Sequence, residues 1–512
     1  MGGETSPRPS PEEWSRIDRL SDGRPLPDRI ARSLYELLGL ECSRDGLARL
    51  FQPSYPGVRA FVIEPRVAPD RAVEITLVGV ARSGRPVWTG TRAFVLGRDG
   101  SLEIHRGFDE IEPDFQHRNT TVDLMRRELE LLRLTRRGPS SRLTIDAEGV
   151  GRYLCALHGF VFADETTEGP PVRSNRPFDP EVDRTRLIEA AERYLEEAGA
   201  RLGLGRIAIE GGVEEARQAR TAWDLARLRF AGAAPRPVEG SDGAAGATAL
   251  GRDFLLARDT PTWRAALYLD ARDPESRARA DRYRRDKTAD YQARLARELR
   301  EAAEALEREH RPTRIKALET LGRSSGPEVA PILARFANSS DRRLAGVARR
   351  MQRMLTGEDL FERILAFADD ERNDARWRGL ALRILAEHKP DAIRDRSMLL
   401  RVNPDARLQR AAIPLVADSP QGTMELASML AANPRTEARP GLDALRLELI
   451  ERLAERSDPL TLPVLIEEHA SARTADPAEL LSLSRALVAF TDPRARSALA
   501  AASRSFERPP WP

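Results

Sequence analysis

A short polar segment at residues 111–121 carries residue types that suit phosphate binding. A predicted strand leads into it, and a predicted helix follows it at once. Because the first amides of a helix are free and its dipole is positive at that end, this arrangement favours a bound phosphate. The cations His117 and Arg118 and the hydroxyls of Thr120 and Thr121 can add donors to those amides.

Three other side chains have the chemistry for proton transfer or nucleophilic attack. His105 lies in a predicted strand, and a histidine pKa near neutrality suits a general base. The alternative is a histidine that only faces a neighbouring strand or the surface. Cys155 and His158 lie one helical turn apart, but without a third group core packing is favoured over a nucleophile pair. The histidines and cysteines show no metal-ligand spacing, so no metal site is predicted.

The elements that must position these residues follow from periodicity. Val73, Ile75 and Leu77 alternate with polar residues, as in a half-buried strand. A stripe of apolar residues predicts a helix at 120–134, and a second short helix at 150–158 ends at Gly159. Further strands are predicted at 92–96, 102–108 and 141–147. The N-terminal half is therefore predicted to be α+β.

This half resembles the GNAT (N-acetyltransferase) family, in a bacterial subgroup with an extended end. Ile111, Gln116, Arg118, Asn119 and Thr121 are similar to that family's fourth strand and pyrophosphate loop. The segment 151–160 looks like the helix that ends in the family's Gly-Phe, and the segment 88–94 resembles its third strand. The resemblance covers residues 27–270 and implies a mixed, splayed sheet with flanking helices that binds acetyl-CoA. The implied cofactor-binding residues are Ile111, Gln116, His117, Arg118, Asn119, Thr120 and Thr121.

The chain departs from the family pattern at several of these positions. Asn119 and Thr121 stand where the family has glycines, and a β-branched Thr at a positive φ implies strain of ~1–2 kcal/mol and about tenfold weaker binding. The resemblance implies catalytic roles for His105, where several members carry a base Glu, and for Cys155, where the family often has an acid Tyr. Tyr153 is the nearest substitute for that Tyr.

The last two hundred or so residues carry a recurring helical unit. Segments such as 313–321, 341–351, 375–385, 405–416 and 493–500 each place an Arg beside Ala or Gly on an apolar face. Their starts recur at roughly 28 to 38 residues, the range of paired-helix repeats. This region resembles degenerate HEAT-type repeats, which implies an all-α solenoid that binds a protein partner and folds without the N-terminal half.

These patterns divide the chain into five parts. They are a disordered N-terminal segment at 1–22, a GNAT-like acyltransferase domain at 23–270 with linker-like insertions at 168–186 and 232–246, a charged helical spacer at 271–310, HEAT-like α-helical repeats at 311–505, and a tail at 506–512.

Composition narrows the class of protein further. The chain has 512 residues and a net charge of +2, so no global field attracts nucleic acid or an acidic membrane surface. No apolar run is long enough for a signal peptide or a membrane span, and two cysteines are too few for a disulfide framework. These features predict a cytoplasmic protein, and the dominance of Arg over Lys fits a GC-rich bacterial coding bias.

Two functional hypotheses follow. In the first, the chain is an acyl-CoA-dependent N-acyltransferase that acts on a protein or peptide amine, with the helical repeats recruiting this substrate. In the second, the GNAT-like domain has lost activity and the chain is a protein-binding HEAT-repeat scaffold. The sequence does not separate the two, and it leaves the acyl acceptor and the oligomeric state open.

Overall fold

In the computed structural model, the described residues run from 20 to 506 with gaps. The gaps are residues 54–56, 68–71, 98, 108, 113–114, 116–119, 136, 138–139, 148–154, 156–157, 159, 163–179, 202–205, 220–221, 227, 229–253, 256, 258–262, 269–273, 309, 325, 418, 420, 436–438 and 473–476.

The N-terminal part of the chain contains a mixed sheet with flanking helices. The strands are β1 (Val58–Val67), β2 (Val73–Ala81), β3 (Pro86–Leu96), β4 (Leu102–Arg106), β5 (Glu110–Ile111), β6 (Arg142–Ala147), β7 (Val161–Phe162) and β8 (Trp263–Tyr268). Their order in the sheet is β1-β2-β3-β4-β6-β8-β7, with β5 paired to β3. The helices are α1 (Asp28–Leu38), α2 (Arg44–Leu50), α3 (Thr120–Leu134), α4 (Pro180–Arg201), α5 (Arg206–Arg217) and α6 (Ala222–Ala226).

The rest of the chain is helical. It comprises α7 (Pro274–Ala305), α8 (Arg311–Ser324), α9 (Ala330–Ala337), α10 (Arg342–Thr356), α11 (Leu360–Asp369), α12 (Ala375–His388), α13 (Ser397–Arg401), α14 (Ala406–Gln409), α15 (Ala412–Ala417), α16 (Gly422–Ala431), α17 (Leu442–Arg456), α18 (Leu462–Ala472), α19 (Pro477–Val488) and α20 (Pro493–Phe506). The predicted α+β architecture, with a mixed sheet followed by a helical region, is confirmed.

The centre of the sheet is a parallel pair of strands joined through α3. β4 and β6 pair from Glu103 opposite Arg142 to Arg106 opposite Ile145. Parallel neighbours need a crossover, and α3 provides it by packing on both strands with a buried stripe that includes Leu124 and Leu131. The helix has the bounds that the apolar stripe predicts.

The ladder between the two central strands ends at Arg106. Beyond that point β5 pairs with β3, with Ile111 opposite Trp88. β6 instead continues along β8 as far as Ala147 opposite Trp263. No pair joins β5 to β6 among the described residues, so the two central strands part at this edge of the sheet.

Aspartates begin several helices of the helical region. The Asp341 carboxylate accepts hydrogen bonds from the amides of Arg343 and Leu344 at the start of α10. The same cap recurs two residues before Arg376 in α12, Arg407 in α14 and Arg494 in α20. Each cap satisfies helix amides that lack intrahelical partners, which explains why an Asp recurs at these helix starts.

Two compact units divide the chain differently from the predicted boundaries at 23–270 and 311–505. The first unit comprises residues 1–55, 64–77 and 88–301, and the second comprises residues 56–63, 78–87 and 302–512. The helical unit therefore includes parts of β1, β2 and β3. In its core Phe61, Ile63, Val78 and Val80 are buried with the apolar faces of the helices. A local sequence window does not reveal such pairing between distant segments.

Polar contacts fix these strand ends within the second unit. Arg82 donates to the carbonyl of Gly322 at 2.9 Å, and Arg363 donates to the carbonyl of Arg82 at 2.6 Å. Gly84 has φ +88°, and a Cβ there would lie 2.3 Å from the carbonyl carbon of Arg363. The turn between β2 and β3 therefore needs glycine both for its conformation and for this close approach.

The remaining boundaries are only partly covered by the described residues. Residues 1–19, the insertion 232–246 and the tail from 507 lie outside them, as do residues 168–179. Leu20, inside the segment predicted to be disordered, is buried and its carbonyl accepts from the Ser43 amide at 2.7 Å. Residues 180–186 of the insertion 168–186 form the start of α4, and the charged spacer contains the helix α7.

Candidate functional site

Two threonines begin α3 at the edge where β4 and β6 part. Thr120 is only 1% exposed, and its hydroxyl has no hydrogen-bond partner among the described residues. A buried hydroxyl without a partner is costly, so this position can donate to a further acceptor such as a phosphate oxygen. Ile111 is half-buried in β5. The other predicted phosphate-binding residues, Gln116, His117, Arg118 and Asn119, lie outside the described residues.

Thr121 does not have the strained backbone that the sequence predicts for it. It is the second residue of α3 and is not among the described residues with positive φ. The expected strain of a β-branched residue in a glycine conformation is therefore wrong for Thr121, because a threonine fits a helix without it. Glycine at this position would gain no relief and would weaken the helix.

His105 lies at the end of β4 on one face of the sheet. Its Nδ1 is 3.0 Å from Thr144 Oγ1 in β6, directly opposite in the parallel pair. Its Nε2 is 3.7 Å from Asp146 Oδ2, and Arg264 Nε donates to the other oxygen of Asp146 at 3.0 Å. A histidine, a carboxylate and a guanidinium thus come together where the central ladder ends.

The pKa of His105 differs from the near-neutral value expected for a general base. Burial lowers the pKa to about 4, Asp146 acts in the opposite direction, and Arg264 and Arg92 lower it further. His105 is therefore neutral at pH 7 but holds an added proton only weakly. The basicity of His105 is therefore lower than the sequence suggested for a general base.

Cys155 does not join His105 in one site. It is buried, its carbonyl accepts from the Phe160 amide at 3.0 Å, and burial raises the pKa of its thiol to about 12 although Arg106 opposes this. Arg106 follows His105 along β4 and so projects from the other face of the sheet. No contact joins Cys155 to His105 within the described part of the chain. Tyr153, the predicted substitute acid, lies outside that part.

His158 is a packing residue rather than a partner base for Cys155. Burial, with Arg284 and Arg106, lowers the pKa of His158 to about 3. Its ring lies edge-on to Tyr283 with centroids 5.3 Å apart, and its carbonyl accepts from Arg284 at 3.0 Å. A neutral imidazole and a thiol that stays protonated do not form an activated nucleophile, in agreement with the core interpretation.

A buried charge cluster on the α3 face of the sheet was not predicted. Arg92 Nε contacts Glu128 Oε1 at 2.5 Å, and Arg92 donates to Asp109 at 2.7 Å. Arg106 lies opposite Arg92 in the β3–β4 pair and contacts both carboxylates. Although burial alone would lower it, Asp109 and Glu128 hold the pKa of Arg92 above its usual value. Two cations and two carboxylates thus compensate one another within the fold.

Glycine leaves room for this cluster. A Cβ at Gly90 would lie 1.9 Å from an Asp109 carboxylate oxygen and 3.0 Å from Arg92 Nη1. The cluster therefore occupies the space above β3 that a side chain would fill. An Arg in a strand usually indicates a solvent-facing position, so only the pairing of Arg92 with a residue in α3 could have revealed the burial.

Other classes of site receive no support from the described residues. No group of three or more His, Cys, Asp or Glu among them could hold a metal ion. Nor does any described helix combine the length and apolarity that crossing a bilayer requires. Comparisons with protein-family models, curated proteins and solved structures find no match to this chain.

Proposed function

We propose that the protein is an acyl-CoA-dependent N-acyltransferase that acts on a protein or peptide amine. The observation that carries the proposal is the Thr120 hydroxyl at the start of α3, which has no partner in the described part of the chain and lies beside the edge where β4 and β6 part. The helix amides and this hydroxyl are donors of the kind that a pyrophosphate accepts. They occur at the position that the GNAT resemblance assigns to the cofactor.

Support also comes from the polar groups at the end of the central ladder. His105 and Asp146 lie where a strand pair opens, and both come from the strands that the resemblance makes the fourth and fifth. Bound acetyl-CoA would supply an activated acyl carbonyl. The chain's own groups would then hold an acceptor amine and take its proton as the amine nitrogen attacks.

The helical repeats would recruit the protein that carries this amine. Met398, Leu399 and Val402 are 66%, 71% and 77% exposed in α13 and directly after it. Consecutive exposed apolar side chains on a helix are typical of a surface that binds another protein.

The alternative is an inactive GNAT-like domain in a protein-binding scaffold. Two observations favour it. The Cys155 thiol, with a pKa near 12, is a poor acid for returning a proton to a leaving thiolate. Asn119 and Thr121 replace the glycines that let amides approach the pyrophosphate. The helical repeats would then provide the function of the whole chain.

Calorimetric titration of the full chain with acetyl-CoA separates these two functions. We expect weak binding that Thr120→Val reduces about tenfold, because one hydrogen bond to a charged phosphate oxygen is lost. Thr135→Val is the matched control, since Thr135 lies just past the other end of α3 and its hydroxyl already donates to the Leu132 carbonyl at 2.9 Å. The control should not change acetyl-CoA binding.

The same titration also tests the scaffold alternative. Undetectable acetyl-CoA binding at millimolar concentration in the unaltered chain would reject the acyltransferase and leave the scaffold. Equal losses of acetyl-CoA affinity in Thr120→Val and Thr135→Val would show that the start of α3 does not bind the phosphate.

A further inference from the structure

The hydroxyl hydrogen of Thr144 identifies which nitrogen of His105 carries the ring proton. Thr144 is fully buried, and among the described residues its hydroxyl has one hydrogen-bond partner, His105 Nδ1. A buried hydroxyl needs an acceptor for its hydrogen. If Nδ1–H donated to Thr144, the Thr144 hydrogen would have no acceptor in the described part of the chain. Thr144 therefore donates, and Nδ1 accepts.

With Nδ1 accepting, the ring proton of neutral His105 is on Nε2. Nε2 lies 3.7 Å from Asp146 Oδ2. A carboxylate attracts an N–H and repels a nitrogen lone pair, so this position favours the same tautomer. The two contacts agree, and in this state His105 has no free lone pair to accept a proton from a substrate.

Asp146 is the group at this point that can still accept a proton. Arg264 holds one of its oxygens, which leaves Oδ2 directed at His105. The Asp146 side chain is 19% exposed and that of His105 is 8% exposed. Asp146 also follows Ile145, the last residue of the central ladder, and so stands at the opening between the strands.

We infer that Asp146 is the catalytic base of this site and that His105 is a positioning residue. This inference rests on the proposed acyltransferase function. The amine nitrogen bonds to the acyl carbon, the carbon–sulfur bond breaks, and the proton of the nitrogen passes to Asp146 Oδ2 and then to the departing sulfur. Arg264 fixes the carboxylate through Oδ1, and His105 Nε2–H attracts Oδ2 from 3.7 Å.

The tautomer is tested without any activity measurement. In the full chain labelled with ¹⁵N-histidine, the His105 signals are assigned by their loss in His105→Gln. At pH 7 we expect a protonated Nε2 and an unprotonated Nδ1 that accepts a hydrogen bond. Thr144→Val should shift the Nδ1 resonance as this hydrogen bond is lost. A protonated Nδ1 in the unaltered chain would overturn the inference.

Turnover with acetyl-CoA and a peptide amine tests the base. We expect Asp146→Asn to lower kcat at least 100-fold with acetyl-CoA affinity unchanged, because Asn cannot take the proton. His105→Gln keeps an N–H donor and should lower kcat no more than about tenfold. Asp281→Asn is the control, since it breaks another Asp–Arg pair, with Arg284 at 2.6 Å.

The outcomes distinguish this inference from the proposed function. A large loss in His105→Gln with a small loss in Asp146→Asn would return the role of base to His105 and overturn the inference alone. If the unaltered chain binds no acetyl-CoA and transfers no acyl group, the proposed function and the inference both fail.

Discussion

Arg92 in β3 and Glu128 in α3 are both fully buried and in contact. This contact determines how much stability is lost when either residue is replaced. Burying two charges has a desolvation penalty that their attraction offsets only while both are present. Removing one leaves the other uncompensated, whereas removing both leaves Arg106 paired with Asp109. The charged residues of this cluster therefore stabilise the fold as pairs. The changes in unfolding free energy on replacing both members of a pair should not equal the sum of the single changes.

Glu128→Leu should lower the free energy of unfolding by about 3–5 kcal/mol, because Arg92 and Arg106 lose a buried carboxylate. The combined Arg92→Met and Glu128→Leu variant should lose less than the sum of its single substitutions. Urea unfolding followed by circular dichroism measures both. Glu210→Gln is the control, because the Arg206–Glu210 pair is 90% and 60% exposed and should change stability by less than about 0.5 kcal/mol. Additive losses of unfolding free energy would show that Arg92 and Glu128 do not compensate each other.

The buried histidines predict a dependence of stability on pH. Burial lowers the pKa of His105 to about 4 and that of His158 to about 3, whereas an unfolded histidine titrates near about 6.5. Below that value the unfolded state binds more protons than the folded state. The stabilisation is therefore complete above pH 6.5 and is lost as the pH falls toward 4.

His105→Gln should flatten this pH dependence by up to about 3 kcal/mol between pH 6.5 and 4. Chemical denaturation at a series of pH values gives the slope for the unaltered chain and for the variant. His158→Gln should act in the same direction. Identical slopes in all three proteins would show that these rings are accessible to protons in the folded state.

At the scale of elements, apolar periodicity predicted helices and strands such as α3 and β4. It did not predict which polar side chains are buried. The apolar stripe through Met125, Leu129 and Leu132 predicted the bounds of α3, because the buried face of an amphipathic helix is visible as a helical spacing of apolar residues. The strand 102–108 ends at Arg106 in the structure, two residues early. The burial of Arg92 depends on Glu128, which lies far along the chain, and no local pattern contains such a partner. The placement of His105 was predicted, but its contacts with Thr144 and Asp146 in a neighbouring strand were not.

The repeated aspartate caps predict a measurable cost for each helix start. Asp374→Ala should lower the free energy of unfolding by about 1 kcal/mol, because the Arg376 amide at the start of α12 loses its acceptor. Asp391→Ala is the control, since Asp391 is 77% exposed and pairs with the exposed Arg394. Thermal unfolding of the full chain compares the two. Equal and negligible effects would mean that water satisfies the amide as well as Asp374 does.

At the scale of the whole molecule, the helical unit draws its core from three separate stretches of chain. The expectation that residues 311–505 fold without the N-terminal half conflicts with the burial of Phe61, Ile63, Val78 and Val80 in that core. Each such side chain contributes about 1.5–3 kcal/mol when fully buried. Without them, apolar faces of the helices would be exposed to water.

A fragment of residues 302–512 should therefore be markedly less stable than the same region in the full chain. We expect a lower melting temperature and faster proteolysis. Phe61→Ala in the full chain should destabilise the helical unit by about 3–5 kcal/mol, which supplies a test within an intact protein. A fragment with the same melting temperature as the intact helical unit would show that the strand ends are dispensable.

This division of the core also has a consequence for biosynthesis. Residues 56–63 and 78–87 leave the ribosome long before the helices from residue 302 onward that bury them. At about 5–20 residues per second, translation of the intervening stretch takes roughly 10 to 40 seconds. During that interval two apolar β-segments lack part of their cover, so the nascent chain presents a binding site for chaperones, and slower translation of residues 88–301 lengthens its exposure to aggregation.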